Sequence, residues 1–156
     1  MIRLEQLLDV CQRLNESGVS YVLIGGWAIF LHGYERATRD IDILVDDSED
    51  NISALKKALN DLLPEACAEL QANDIRQNVV VRMAGENIVL DLIRNVGDMD
   101  FARMKTHIEK QKINDVLIPF ADLPAMLDLK GGVRDVDQRD YLFLKGKMEY
   151  LQRGKK

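Results

Sequence analysis

The sequence predicts an α/β (α+β) domain in which helices flank a mixed β-sheet. Two observations lead to this fold class: short apolar strands alternate with amphipathic helices, and one pair of strands is separated by a turn typical of a hairpin. The 156 residues, 47% of them hydrophobic, suffice to bury one core. We expect a single domain over residues 1–156, with a core of about 20–120 and C-terminal helices over about 122–152.

The first half of the chain predicts three helices and two strands. Apolar residues recur at helical spacing from Ile2 to Asn15, so this stretch forms a helix that ends near Gly18. The next elements are a strand over Tyr21–Ile24, a short helix over Gly26–Leu31 and a strand over Ile41–Val45. Ser48 is suitably placed to cap a further helix, which we expect Pro64 to stop.

The second half predicts a hairpin, one more strand and helices. Alternating apolar residues predict a strand from Ile75 to Met83, and the turn Ala84–Asn87 leads into a return strand over Ile88–Arg94. Residues 97–112 are polar and predict a short helix and a loop. The remaining predictions are a strand at Val116–Phe120, a helix that begins near Asp122 and Pro124 and runs through Leu129, and a helix within Arg134–Leu151.

Composition and charge narrow the classes of function. A formal net charge of −5 disfavours broad, charge-driven binding to nucleic acid. Cys11 and Cys67 lie far apart in apolar contexts, so we expect buried, reduced thiols of an intracellular protein. The longest apolar stretch is too short to span a bilayer. We therefore expect a cytoplasmic protein that does not associate with membranes.

Three aspartates predict a metal site. Because side chains alternate along a strand, Asp40 and Asp42 project from the same face of the strand around Ile41–Val45. Asp91 interrupts an otherwise apolar strand, and if the two strands are neighbours the three carboxylates converge. Carboxylate oxygens suit Mg²⁺, and two such ions about 3.5–4 Å apart can clamp a displacement at phosphorus.

Each acid also has a plainer interpretation. Asp40 and Asp42 could belong to an edge strand whose polar face is solvated, and Asp91 could form a structural ion pair with an arginine. Two unpaired carboxylates beside a core would repel each other, so a cation is expected nearby. Arg36, Arg39 or a divalent metal could supply that charge.

A glycine pair precedes the acids. Gly25 and Gly26 follow a strand and open a helix, so their backbone N–H groups could face a phosphate, although such a pair is more often only a tight connection. The spacing matches neither a Walker loop nor a dinucleotide fingerprint.

The glycine pair, the short helix, the Asp-x-Asp strand and the later strand aspartate together resemble the nucleotidyltransferase superfamily of the polymerase-beta type. The stretch GGWAIFLHGYERATRDIDILVD is most similar to the AbiEii-like toxin nucleotidyltransferases and the aminoglycoside nucleotidyltransferases. The resemblance implies Mg²⁺-dependent (or Mn²⁺-dependent) transfer of a nucleoside monophosphate from an NTP to a hydroxyl acceptor, which could be a small molecule, RNA or protein. The toxin relatives imply an antitoxin as a possible partner.

The same resemblance implies roles for individual residues. Asp40 and Asp42 bind the metal, Asp91 completes the metal site and helps to deprotonate the acceptor, and Gly25 and Gly26 hold the triphosphate. Many members have Gly-Ser where this chain has Gly25-Gly26, so a serine hydroxyl contact to phosphate is absent here.

Several basic residues are secondary candidates. The resemblance places Lys130 and Arg134 near the nucleotide phosphates, with Asp137 and Asp140 orienting them; a solvated helix with Arg–Asp pairs is the alternative. Arg39 could neutralise the acids or contact phosphate.

Other polar and aromatic side chains have weaker claims to function. Packing is favoured over stacking on a base for Trp27, Phe30 and Tyr34, and we expect His32 and His107 to be structural or exposed. A different class of function stays open, namely a nucleotide-binding or protein-interaction module without transfer activity. Carboxylates that point apart, or that are each tied to an arginine, would favour that module.

Overall fold

A computed structural model describes residues 1–129 and 135–154, and the side chains from residue 138 onward in the second range. Six strands form one mixed sheet, and a two-stranded ribbon lies beside it. The sheet strands are β1 (Tyr21–Ile24), β2 (Ile41–Val45), β3 (Val80–Ala84), β4 (Val89–Ile93), β7 (Ile108–Ile113) and β8 (Val116–Ala121); the ribbon strands are β5 (Asn95–Val96) and β6 (Met99–Asp100). The helices are α1 (Leu4–Glu16), α2 (Gly25–Leu31), α3 (Glu49–Leu59), α4 (Pro64–Glu69), α5 (Ala72–Gln77), α6 (Phe101–Met104), α7 (Leu123–Leu129) and α8 (Asp135–Arg153), with a 3-10 turn at Lys105–His107.

The sheet has the order β3-β4-β2-β1-β8-β7. Its centre mixes directions, because β1 is antiparallel to β2 and parallel to β8, while β2 is parallel to β4. Antiparallel hairpins, β3–β4 and β7–β8, form the two edges. The predicted mixed sheet with flanking helices is therefore confirmed, and β2 lies inside the sheet.

The core lies between the central strands and the helices. All four residues of β1 are buried, and α1 contributes an apolar face that includes Leu7 and Leu14. The predicted cap of α3 is present, because the Ser48 Oγ accepts a hydrogen bond from the Asn51 N–H at 3.2 Å. Asp122 caps α7 in the same way, because its carboxylate accepts a hydrogen bond from the Ala125 N–H at 2.9 Å. Cys11 and Cys67 are buried free thiols, as expected.

Three local predictions differ from the structure. The strand predicted from Ile75 to Met83 is confirmed only from Val80 onward, as β3, and its first part is instead α5, whose start is capped because the Asp74 carboxylate accepts from the Gln71 N–H at 2.9 Å. Ile75 is fully buried as the apolar anchor of this short helix, so its apolar character reflects helix packing. Pro64 does not end α3, which stops at Leu59, but opens α4 at a position where a missing N–H costs nothing.

The third difference is β7, which falls in the stretch predicted as helix and loop. Its four central residues, Glu109–Lys112, are all exposed, so no apolar alternation marks them as a strand. They are held by backbone pairing with β8 at the edge of the sheet, and charged side chains are a common protection of such an edge.

Among the described helices, none combines the length and the apolar character needed to cross a membrane.

Candidate active site

Two central strands bring the three predicted aspartates together. Asp42 on β2 is the direct register partner of Asp91 on β4, and Asp40 immediately precedes β2. One carboxylate oxygen from each of the three residues lies within 4.8 Å of the others. Asp91 is buried, whereas Asp40 and Asp42 are half-buried. The convergence matches the sequence-based expectation, and the edge-strand interpretation of Asp40 and Asp42 is wrong because β2 has a neighbour on both sides.

Arg82 supplies the positive charge beside these acids. It lies on β3 directly opposite Asp91, and its Nε and Nη2 donate to the two carboxylate oxygens of Asp91 at 2.9 and 3.0 Å. The same Nη2 donates to Asp40 Oδ2 at 3.1 Å. Arg82 was not among the predicted site residues, although the hairpin carried the signal: once the turn is placed over Gly85–Ile88, position 82 pairs with position 91.

The acids and Arg82 shift one another's proton affinity. Burial raises the pKa of Asp40, and the neighbouring Asp91 carboxylate raises it further, against an opposing effect of Arg82. Burial also acts to raise the pKa of Asp91, but the hydrogen bonds from Arg82 and within the cluster outweigh it and leave that pKa lowered. Asp40 is therefore the first of these two carboxylates to take up a proton as the pH falls.

The glycine pair packs directly against the acid cluster. Gly25 has a left-handed φ of +69°, and a Cβ at this position would collide with the Asp42 carboxylate. A Cβ at Gly26 would lie 2.5 Å from the Cγ2 of Thr38 and 3.2 Å from an Nη of Arg36. These contacts explain why position 26 is glycine: a serine there has no room unless Thr38 moves.

The two arginines before β2 have different environments. Arg36 donates from Nε and Nη2 to the two carboxylate oxygens of Asp140, each at 2.9 Å, and Asp140 is fully buried on α8. Arg36 is therefore a structural link and does not neutralise the acids. Arg39 is exposed and has no hydrogen-bond or ion-pair partner within the described part of the chain. Lys130 and Arg134 lie outside the described residues, as does the side chain of Asp137.

The aromatic and histidine side chains have the structural roles expected of them. Trp27 and Phe30 pack edge to face with ring centroids 5.2 Å apart, and Tyr34 packs in the same way on Phe143 of α8 at 4.9 Å. His32 is buried and its Nε2 lies 2.8 Å from the Ala121 carbonyl oxygen. His107 lies 3.2 Å from an oxygen of Asp122.

Comparison with solved structures shows the same fold in three nucleotidyltransferase-related proteins. A protein from Thermotoga maritima, assigned as a nucleotidyltransferase, is 18% identical over 98% of this chain and 94% of its own, with a TM-score of 0.59. The lincomycin-bound lincosamide antibiotic adenylyltransferase LnuA is 21% identical over 92% and 97%, with a TM-score of 0.62. An antigenic nucleotidyltransferase-like protein from Paracoccidioides brasiliensis is 15% identical over 90% and 74%, with a TM-score of 0.57.

The family assignment comes from sequence comparison. No curated protein matches the chain. The family model described as aminoglycoside-2''-adenylyltransferase matches residues 6–113, which is more than half of the chain and includes the glycine pair, Arg82 and all three aspartates of the cluster. With a nucleotidyltransferase fold and an acid cluster in the matched region, this chain is a nucleotidyltransferase that belongs to the aminoglycoside-2''-adenylyltransferase family.

Proposed function

We propose that this protein transfers a nucleoside monophosphate from an NTP to a hydroxyl group of a small molecule, with a divalent metal held by Asp40, Asp42 and Asp91. The observation that supports this most directly is the convergence of three carboxylates, within 4.8 Å, beside the glycine turn. ATP is the proposed donor because the family is one of adenylyltransferases. The reaction would take place in the cytoplasm and within a single domain.

The residues present fit a magnesium or manganese ion. All three donors are carboxylates, the hard oxygen ligands that both ions accept. The cluster already accommodates a cationic group, since the Arg82 guanidinium donates to Asp91 and Asp40 at 2.9–3.1 Å. A bound metal would supply charge stabilisation for the transferred phosphoryl group and its leaving group.

The chain's own residues would position the substrates and handle the proton. The turn at Gly25 and Gly26 lets a triphosphate approach the backbone closely, and we propose that Arg39, Lys130 and Arg134 contact its phosphates. The acceptor oxygen forms a bond to the α-phosphorus as the bond from that phosphorus to the bridging oxygen breaks, and pyrophosphate leaves. The hydroxyl proton passes to the Asp91 carboxylate.

A small cationic molecule is the acceptor that we favour. The family description names aminoglycosides, which carry several amino groups and many hydroxyls. A chain with a net charge of −5 attracts a polycation and repels RNA. RNA and protein acceptors are the alternative that the assay below distinguishes, and an antitoxin partner, which the resemblance to toxin nucleotidyltransferases implies, would accompany that alternative.

The test is a transfer assay with NTP labelled at the α-phosphate. Aminoglycosides, lincosamides, RNA and a protein extract are each offered as acceptors, with Mg²⁺ or Mn²⁺. We expect label on a small molecule, and we expect Asp42→Asn to reduce transfer at least about a thousandfold because it removes a charged metal ligand. Asp98→Asn is the matched control, since Asp98 is an exposed aspartate outside the cluster. Undiminished transfer by a folded Asp42→Asn protein would falsify the mechanism.

One observation favours the second candidate, a binding module without transfer activity. Arg82 is tied to both Asp91 and Asp40, and this pairing was the feature expected of such a module. The convergence of the three carboxylates argues against a binding module, for which carboxylates that point apart were expected. Calorimetry with ATP and Mg²⁺, followed by a pyrophosphate assay, separates the two candidates. Nucleotide binding with no pyrophosphate release in the presence of any acceptor would identify the module.

A further inference from the structure

Arg82 makes two unequal contacts with the acid cluster. Its fork to Asp91 has two hydrogen bonds, at 2.9 and 3.0 Å, to a side chain that is only 8% exposed. Its contact with Asp40 is a single hydrogen bond of 3.1 Å to a side chain that is 33% exposed. Arg82 itself is 60% exposed and projects from the edge strand β3, so its side chain has room to move on the solvent side.

The fold needs a positive charge at this place. A buried carboxylate such as Asp91 is costly unless a counter-charge and hydrogen bonds satisfy it, and the half-buried Asp40 and Asp42 add like charges within 4.8 Å. Arg82 meets this need through a fork geometry that matches a carboxylate. Arg82 engages both oxygens of Asp91 and Oδ2 of Asp40, so a metal ion held by the cluster would share the Asp91 carboxylate with the guanidinium whichever of its oxygens it bound.

We propose that Arg82 is a built-in counter-cation of the acid cluster, which holds Asp40 and Asp91 together and is partly displaced when a divalent metal binds. The hydrogen bond to Asp40 breaks on metal binding because it is single and more exposed, while the fork to Asp91 is retained. This inference rests on the proposed metal site. Arg82 is then a positioning residue with two effects. In the metal-free protein it keeps the carboxylates close together, and when metal is present it lowers the affinity of the cluster for that metal.

Competition between the Arg82 guanidinium and the metal would change the affinity of the protein for metal in a measurable direction. If the guanidinium and the metal compete for shared oxygens, removing the guanidinium must tighten metal binding, and the metal must loosen the guanidinium by the same factor. A residue that only supports the fold would have the opposite effect, because its loss would disorder the ligands and weaken metal binding.

The experiment is a calorimetric titration with MnCl2 of the wild-type protein and of Arg82→Gln, without nucleotide. We expect Arg82→Gln to bind Mn²⁺ at least about fivefold more tightly. Without metal, the variant should melt at a lower temperature than the wild type, and Mn²⁺ should raise its melting temperature by more.

Arg76→Gln is the matched control for the change in net charge. Arg76 is also a partly exposed arginine paired with an aspartate, Asp47, at 4.0 Å, and it does not touch the cluster. Its substitution measures the general effect of removing one positive charge. Adding Asp42→Asn to Arg82→Gln should abolish the tight Mn²⁺ binding, which locates that binding at the cluster.

Manganese binding by Arg82→Gln that is no tighter than binding by Arg76→Gln overturns the proposal. If Arg82→Gln does not fold, Arg82→Lys decides the matter: it keeps the charge but loses the fork, so it should bind Mn²⁺ more tightly than the wild type, and unchanged or weaker binding contradicts us. The transfer assay is read separately. Tighter Mn²⁺ binding without transfer by any variant supports the role of Arg82 and refutes the proposed reaction, whereas absence of Mn²⁺ binding in all variants refutes both.

Discussion

At the scale of single residues, the contact between Gly25 and Asp42 joins the backbone to the acid cluster. Gly25 has a left-handed φ of +69°, and the space where its side chain would lie is filled by the Asp42 carboxylate. Glycine is thus required there for two separate reasons, one conformational and one steric. The steric reason concerns function, because it fixes where a proposed metal ligand sits relative to the turn.

The conformational and steric costs of a side chain at position 25 can be separated by comparing Gly25→Ala with Gly18→Ala. Gly18 has nearly the same φ, +68°, but a Cβ there would meet nothing within 4 Å. We expect Gly18→Ala to lower the free energy of unfolding by roughly 1–2 kcal/mol, which is the conformational cost alone. Gly25→Ala should cost about 1–3 kcal/mol more, because the added methyl group pushes against Asp42.

Both quantities come from urea unfolding followed by circular dichroism. Gly25→Ala should also weaken Mn²⁺ binding, since Asp42 must move, while Gly18→Ala should leave it unchanged. Equal losses of stability in the two variants, with equal Mn²⁺ affinity, would show that the collision with Asp42 is relieved without cost.

At the scale of secondary-structure elements, the sequence was most informative where a single pattern determines the structure. The strands β1 and β2 were predicted with their exact bounds because each is a short, mainly apolar run bounded by glycine or aspartate, within which Asp42 keeps the alternation of a strand. The charged edge strand β7 and the short helix α5 carry no such pattern, since one depends on backbone pairing and the other on a cap and one buried isoleucine. Arg82 was missed for a related reason: its partner is set by the register of the β3–β4 hairpin, which depends on the position of the turn and not on the periodicity of either strand.

The helix α8 is tied to the segment before β2 by the fork between Arg36 and Asp140. This bidentate pair is largely buried, with Asp140 at 0% and Arg36 at 23% exposure. It places an α8 carboxylate next to a guanidinium that also packs close to Gly26. Position 36 therefore connects the C-terminal helix with the glycine turn of the candidate active site.

Removing this link should be costly to the fold. We expect Arg36→Ala to lower the free energy of unfolding by roughly 2–4 kcal/mol, because two charge-assisted hydrogen bonds to a buried carboxylate are lost. Arg39→Ala is the control for stability: Arg39 is exposed and lacks a partner in the described ranges, so its loss should change stability by less than about 0.5 kcal/mol. Chemical denaturation of both variants provides the comparison, and similar stabilities would mean that the fork contributes little.

At the scale of the whole molecule, His32 lies where three elements meet. It follows α2, its ring nitrogen Nε2 is 2.8 Å from the Ala121 carbonyl at the end of β8, and its own carbonyl accepts from Lys147 of α8 at 2.7 Å. Its ring also packs edge to face on Phe120. A change in the charge of His32 therefore acts on the packing of the glycine-turn helix, the sheet and the C-terminal helix together.

The pH dependence of folding tests this role. Burial lowers the pKa of His32 from its ordinary 6.5, and Lys147 lowers it further, although the Ala121 carbonyl and the carboxylates of Glu109 and Asp122 act in the opposite direction. Because the folded protein binds the proton less readily than the unfolded chain, the stability contributed by neutral His32 is complete above about pH 6.5. It is lost progressively as the pH falls below 6.5 toward the lowered pKa of the folded state.

As the pH falls below about 6.5, the free energy of unfolding should therefore fall by up to about 1.4 kcal/mol per pH unit from this residue. His32→Gln retains an N–H group that can donate to Ala121 but cannot take up a proton. We expect the variant to be less stable at pH 7.5, because it loses the ring contact with Phe120, yet to show a shallower loss of stability on acidification. Denaturation curves at half-unit pH intervals give both slopes. An identical slope in the variant would mean that acid sensitivity originates elsewhere, and that His32 is held at the junction by packing alone.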